Sequence, residues 1–588
     1  MANYTTGKWD LSDLASDNEL TPRIEEIKSQ VKEFVKYQEI LDENISAEKV
    51  TQIIKHEEAI SEKLHLIAGY THLKFTENTS DQTAIKNMQI VENLATEISN
   101  QTMFFSLWFK KLNDKTAHRI INEVTNPDYK YVLKRARITK DYVLSEKEEK
   151  IINVKDTTGT DAIQSMYDIT CNQFTFKIEI DGKPHDLTFS ELSKYFKSPN
   201  PKLREKAYKE LLRVYSENGL LLGEMYKNIA SDWVKENLDL RGYNNEIAPR
   251  NIGNEISDEA VEALLESCKK NRKIFWKYFK LKARALSMDK MSRYHVYAPL
   301  SSDEKNITYD YAVKTVLEVF DNFSENFGKG ARQIINKNHV DSELRKSKRS
   351  GAFCCFPSPH VTPYVLLNFD GKKRDVSTLA HELGHGIHAI LANNRPISTF
   401  DPGLPLAETA SIFSEMLLSE KLMQDETSVE NKKAMAAETL DDMFATILRQ
   451  SYFVFFERKM HQSIKNGITL DEARDIYMNM LKEQFGPDFE IPDEFKNEWL
   501  YVPHIFHSPF YCYAYAFGKL LVLALYEIYK EQGQKFVPKL EKILAYGGSK
   551  EPENVLAEID IDIQSTEFWD KGFNLIQGHV EEFEKLLD

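Results

Sequence analysis

Apolar positions recur every three or four residues along most of the chain, with Lys and Glu filling the places between them. Residues 18–40, 47–66 and 82–112 carry this spacing with little Pro or Gly, which predicts amphipathic helices. Two stretches alternate instead. Phe174, Phe176, Ile178 and Ile180 occupy every second position, Asp181-Gly182 is a hairpin turn signal, and Leu187 and Phe189 follow it, so a β-hairpin is expected from Phe174 to Phe189. The run Pro363 to Phe369 is rich in strand formers and ends at Asp370-Gly371-Lys372-Lys373. Asp375 then suits an N-cap, and Val376 to Ala392 reads as one helix closed by Asn393-Asn394 and Pro396. Ser198-Pro199-Asn200-Pro201 opens a new helical run, and a boundary is expected near it. No internal repeat or low-complexity linker divides the sequence.

Composition narrows the class. A chain of 588 residues, 42% hydrophobic and 28% charged, has enough apolar matter for more than one core and too much for disorder. The net charge of −15 argues against nucleic acid or an anionic membrane as the main partner. No basic, apolar leader begins the sequence and no run of eighteen apolar residues occurs, so neither a signal peptide nor a membrane span is expected. Cys171, Cys268, Cys354, Cys355 and Cys512 are odd in number and lack disulfide or zinc-finger spacing, which points to the reducing cytoplasm.

The chemistry concentrates at His381-Glu382-Leu383-Gly384-His385. On a helix the two histidines are four residues apart on one face, with Cα atoms about 6 Å apart, so both imidazoles can converge on one zinc ion. Glu382 sits one step round, off the metal but beside the position where a general base must act on water. A hydrolytic zinc needs a third protein ligand and an open position. His388 shares the face, but from 381 to 388 the helix rises about 10 Å, too far for one ion to be shared, so His388 is expected in the outer shell or in packing. The longer three-histidine pattern fails at Leu391.

The turn cluster Asp401-Pro402-Gly403-Leu404-Pro405 precedes a helix expected from Leu406 to Met423, with Glu408 in its first turn. Thermolysin-like spacing would put the glutamate ligand at Pro405 and aminopeptidase spacing at Leu404, neither of which binds zinc. Glu408 is therefore the expected third ligand, with Glu415 as its rival. Two turns on and on the same face, Glu415 is assigned to accepting the second N–H of a ligand histidine.

Two further segments bear on substrate. An extended peptide beside a metal is held by an exposed strand edge, for which Gly351-Ala352-Phe353 and the run from Tyr364 are candidates, ordinary sheet core being the competing reading. The segment Pro503 to Tyr515 holds His504, His507, Tyr511, Tyr513 and Tyr515; a helix starting after Pro509 would make Tyr511 and Tyr515 neighbours. Tyr O–H or His N–H groups there are candidate donors to an oxyanion, against a packing role.

At these residues the chain resembles the oligoendopeptidase F family, relatives of thimet oligopeptidase in the thermolysin-like zincin group. The likeness begins at Trp9-Asp10-Leu11-Ser12-Asp13-Leu14, and runs through Leu144-Ser145-Glu146, Arg241-Gly242-Tyr243, Ala298-Pro299-Leu300 and Gly351-Ala352-Phe353-Cys354. It is strongest in Pro363 to Asn368, Thr378 to Gly386 and Ala407-Glu408-Thr409-Ala410-Ser411. The resemblance implies a mostly α-helical, two-lobed zincin-like body around a deep substrate channel, with the hairpin in the N-terminal lobe (1–195) and a short sheet beside the active site in the catalytic domain (196–588). It implies one Zn2+ on His381, His385 and Glu408, Glu382 as base, and endopeptidase action on short peptides by a monomer or weak homo-oligomer. Catalytic roles are expected for His507, Tyr511 and Tyr515, and substrate contacts for His504, Gly351, Ala352 and Tyr364. The family usually has Asp where His295 stands. A dipeptidyl carboxypeptidase-like exopeptidase is the rival enzyme, and a non-catalytic peptide binder is opposed by the presence of Glu382.

Overall fold

The structure is a computed structural model describing residues 3–301 and 306–588. It is mostly helical, with two small sheets among the described residues. Two compact units divide the chain discontinuously: Met1–Lys140, Glu304–Leu422 and Ile528–Ile561 form one, and Asp141–Asp303, Met423–Glu527 and Asp562–Asp588 the other. None of the described helices is long and apolar enough to cross a membrane.

In the first unit the predicted amphipathic helices pack their apolar stripes into one core that also takes in Trp9, Tyr364 and Leu366. The helix expected at 47–66 runs on to Glu77, because Ile67, Tyr70 and Leu73 continue the buried stripe. Gly69 within it admits Pro357, whose Cβ lies 2.8 Å from where a glycine-replacing Cβ would stand. The run 82–112 is two helices, Gln82–Thr102 and Phe104–Lys111, meeting at Met103.

A three-stranded sheet of order β3-β5-β4 is built from β3 (Val340–Asp341), β4 (Phe353–Cys355) and β5 (Tyr364–Leu366). β5 is central and buried, parallel to β3 and antiparallel to β4. Tyr364 stacks on His339 at 3.9 Å with Trp9 edge-on at 6.2 Å. The helix carrying the histidine motif spans Lys373–Leu391, one turn longer at its start than expected. Lys372, not Asp375, is its N-cap; Asp375 caps from three residues inside, accepting from Asp370 N at 2.7 Å and Lys372 N at 3.0 Å. The helix expected from Leu406 is broken into Leu404–Ala407 and Thr409–Asp425, and Glu408 occupies the break.

In the second unit the hairpin pairs β1 (Phe176–Ile180) with β2 (Lys183–Leu187) through left-handed Asp181 and Gly182. It stops short of Phe189, because Thr188 and Glu191 form a capping box that starts a helix at Phe189. The aromatic-histidine segment is a short helix Pro503–His507, a turn, and a helix that begins only at Tyr513. The late start follows from Phe510, a non-glycine residue at φ 59° that no helix accommodates.

Candidate metal centre

The four-residue spacing of His381 and His385 brings their Nε2 atoms to 3.2 Å, with the ring planes 80° apart. Glu408 Oε2 stands 3.5 Å from each of those atoms. Three ligand atoms at the corners of such a triangle match one face of a tetrahedron about a zinc ion with bonds near 2.0–2.1 Å, whose edge is about 3.3 Å.

Each corner is oriented from behind. His381 Nδ1–H donates to Glu415 Oε1 at 2.6 Å, which fixes the tautomer and leaves Nε2 with its lone pair outward. His385 is held by a hydrogen bond to the backbone of Ala407. Ser411 Oγ lies 2.7 Å from Glu408 Oε2, to which its single proton is donated, and 3.0 Å from the Glu408 carbonyl oxygen. Glu408 stands at the break between the helices Leu404–Ala407 and Thr409–Asp425, with its carboxylate facing the histidines. Ser411 and Gly384 were not assigned roles from the sequence; the signal for Ser411 is its place three residues after Glu408, and none marks Gly384 beyond its place inside the motif.

The surroundings shift the acids and bases. Glu382 is 6% exposed. Burial first, then the neighbouring Glu408 and Glu415 carboxylates, push its pKa up to about 7 against the pull of His381. His381 is disfavoured as a cation by burial, yet Glu415, Glu408 and Glu382 outweigh that and carry it up to about 8. Burial depresses His385, and it depresses His388 further, down to about 3 with His385 adding to it. His388 lines the same cavity of about 390 Å³ as His381, Glu382, His385 and Glu408, and stays neutral there. Cys354 lines it too, with a thiol held protonated by burial and by Glu382.

The substrate candidates separate. Ala352 and Phe353 line the cavity, Phe353 opens β4, and β4 is an edge strand. Gly351 precedes it at φ 83°, a left-handed turn suited to glycine. Tyr364 does not share that edge: both sides of β5 are already paired and its ring is buried, so an added peptide strand cannot form on it.

In the second unit His504, Tyr511 and Tyr515 form one cluster. His504 Nε2 is 3.1 Å from Tyr515 Oη, and the Tyr511 and Tyr515 rings meet edge-on at 5.2 Å. His507 is not in it; its Nε2 bonds Asp168 Oδ1 at 2.9 Å. Tyr513 is buried, its hydroxyl accepting from Asn254 Nδ2 at 2.7 Å.

The family model for peptidase family M3 matches residues 194–575 and that for oligopeptidase F matches residues 108–176. The oligoendopeptidase F homolog of Borreliella burgdorferi is 30% identical over 99% of this chain and 98% of its own. Oligopeptidase PepF of Bacillus subtilis is 24% identical, over 98% of this chain and 87% of that one. In fold, a crystallised Chlamydophila abortus protein superposes with a TM-score of 0.89 at 24% identity over 98% of both chains. The oligoendopeptidase-F structure from Enterococcus faecium gives 0.71 at 20% identity, over 98% of this chain and 100% of that one. The chain belongs to peptidase family M3, and is a metallo-oligopeptidase acting on peptides.

Proposed function

We propose that the chain is a zinc-dependent endopeptidase that cleaves internal bonds of short oligopeptides, holding one zinc on His381, His385 and Glu408. The observation that carries this reading is the triangle of two Nε2 atoms and one Oε2 atom at 3.2 and 3.5 Å, with the buried Glu382 carboxyl lining the same cavity. Two imidazoles, which a metal binds in their neutral form by displacing the proton that His381 would otherwise keep, and one carboxylate are a donor set that suits zinc and leaves a coordination position open. Bound there, the metal supplies Lewis acidity and lowers the pKa of a coordinated water toward neutrality.

The chain's own groups do the rest. Glu382 takes the proton of the attacking water on a carboxylate oxygen and delivers it to the leaving nitrogen. Glu415 keeps His381 in the tautomer a ligand needs, and Ser411 keeps the Glu408 carboxylate turned inward. The edge of β4, reached through Gly351 and Ala352, holds the peptide main chain in extended form, which favours tolerance of side-chain identity. Donors to the oxyanion are proposed from His504, Tyr511 and Tyr515, a role that the His504–Tyr515 contact supports; His507 bonds Asp168 instead.

The names of the B. burgdorferi and E. faecium proteins support endopeptidase action. The limits of the two matches, 108–176 and 194–575, support residues 1–195 as an N-terminal segment and 196–588 as the catalytic one. Five free cysteines support a cytoplasmic, reducing location, and a monomer or weak homo-oligomer is the expected working form.

The test is a peptide blocked at both ends, incubated with enzyme of measured zinc content. Internal cleavage by wild type, and loss of turnover with retained zinc in Glu382→Gln, are expected. No cleavage of the blocked peptide while free-ended peptides are trimmed would make it an exopeptidase.

A further inference from the structure

Within the second unit, apart from the proposed metal ligands, a buried arginine, Arg293, and a half-buried one, Arg449, close on one buried carboxylate. Arg293 is 1% exposed. Glu498 Oε1 accepts from Arg293 Nη2, from Arg449 Nη2 at 3.2 Å and from Tyr501 Oη at 3.2 Å. These bonds leave other donors unanswered: Arg293 Nε and Nη1, Arg449 Nε and Gln484 Nε2 are buried without a protein acceptor. Tyr452 Oη is likewise unpartnered, and Glu498 Oε2 is the single carboxylate oxygen among them. Buried polar groups are nearly always satisfied, so so many in one place point to a missing partner.

All five residues line one cavity whose remaining walls are aromatic and aliphatic. About 10 Å³ of it is open to the centre of a water-sized sphere, room for one small occupant and none for phosphate, a carboxylate or a peptide end. Charge then selects the occupant. Burial raises the pKa of Glu498, but Arg293 and Arg449 outweigh it and keep the carboxylate ionised. Two guanidinium charges and one carboxylate charge sum to +1. The Phe495 face, 5.1 Å from the Arg293 guanidinium, offsets part of that charge but accepts no strong hydrogen bond. A water molecule has two lone pairs for five donor atoms and brings no charge; a spherical anion takes hydrogen bonds from several directions at once and neutralises the cluster.

We propose that this cavity binds a single monatomic anion, chloride under physiological conditions, through Arg293, Arg449, Gln484 and Tyr452. Glu498 is the fixed counter-charge that keeps the two guanidiniums together. The site makes no use of the metal centre and stands whether or not the zinc reading does.

Thermal melts of the full-length protein in sodium chloride, bromide and gluconate at one ionic strength test it. A saturable rise in Tm of about 1–3 °C in chloride and bromide, absent in gluconate and lost in Arg449→Gln, is expected. Bromide soaked into wild-type crystals should give an anomalous peak between Arg293 and Arg449, which decides the matter should Arg449→Gln not fold. Equal melts in chloride and gluconate overturn the proposal, and an anomalous peak without any melting effect marks an adventitious ion only. A water without anomalous signal at that position overturns it as well.

Discussion

Gly384 lies against Ser411 so closely that a Cβ at 384 would stand 2.6 Å from the Ser411 Cα and 2.7 Å from the Ala410 carbonyl oxygen. Both obstacles are backbone, so no rotamer change relieves them. The contact lets the helix Thr409–Asp425, with Ser411 and Glu415 on it, approach the histidine helix. Gly384→Ala should therefore separate the two helices and weaken metal binding without removing any ligand. Metal analysis after dialysis against a mild chelator should show substoichiometric metal in Gly384→Ala and full occupancy in wild type, with Tm lowered by the strain. Unchanged occupancy would mean that the ligand triangle does not depend on this approach.

Glu415 acts on the metal through His381. Replacing it with Ala removes the acceptor of the Nδ1–H bond, and such outer-sphere losses weaken zinc affinity by about 10–100-fold. Glu408→Ala removes a ligand outright and should lose the metal at any practical concentration. Competition with a fluorescent zinc chelator ranks the three proteins; a Glu415→Ala variant weaker than Glu408→Ala would exchange the two roles.

How far the site was legible depends on the distance over which each feature is set. His381 and His385 share a face because a helix repeats every 3.6 residues, and a local motif shows that directly. The Thr188–Glu191 capping box was equally local, and reading it would have ended the hairpin in the right place. Tyr364 is different: its strand is central because β3, more than twenty residues earlier, pairs beside it, and two residues of strand leave no pattern to read. Phe510 is the clearest case. Nothing at that position signals a left-handed residue, since its amide is held at 2.8 Å by Glu457, 53 residues away. That remote contact goes with a helix that starts only at Tyr513, which leaves Tyr511 in the turn before it.

The two histidines of the aromatic segment should behave differently. Tyr515→Phe and His504→Ala break the 3.1 Å contact, and losing an oxyanion donor costs about 10²–10³ in kcat with KM little changed. His507→Ala removes a largely exposed pair with Asp168, worth at most about 1 kcal/mol, and should leave kcat within a few-fold of wild type. Steady-state kinetics on one fluorogenic peptide distinguishes them. A larger loss in His507→Ala than in His504→Ala would return the catalytic role to His507.

Glu457 should contribute to a fall in stability as pH rises toward 8. It is fully buried beneath Phe510, and burial raises its pKa to about 8 despite the Phe510 amide and Arg250. Its neighbours Tyr226 and Cys512 are themselves held protonated. An unfolded glutamate ionises near 4.5, so between that value and about 8 the native state keeps a proton that the unfolded state has released. Stability from this group is complete below the lower value and is lost as pH rises through the upper one, by about 1.4 kcal/mol per unit between them. Buried His461 and His388 work in the opposite sense, each with its pKa lowered to about 3 from 6.5, so their effect ends above 6.5. Glu457→Gln keeps an acceptor for the Phe510 amide and removes the titration. Between pH 6.5 and 8 its Tm should fall less than that of wild type, while Glu382 and the metal ligands, present in both proteins, cancel in the difference. Parallel Tm curves for the two proteins over that interval would show that Glu457 is already ionised in the native state.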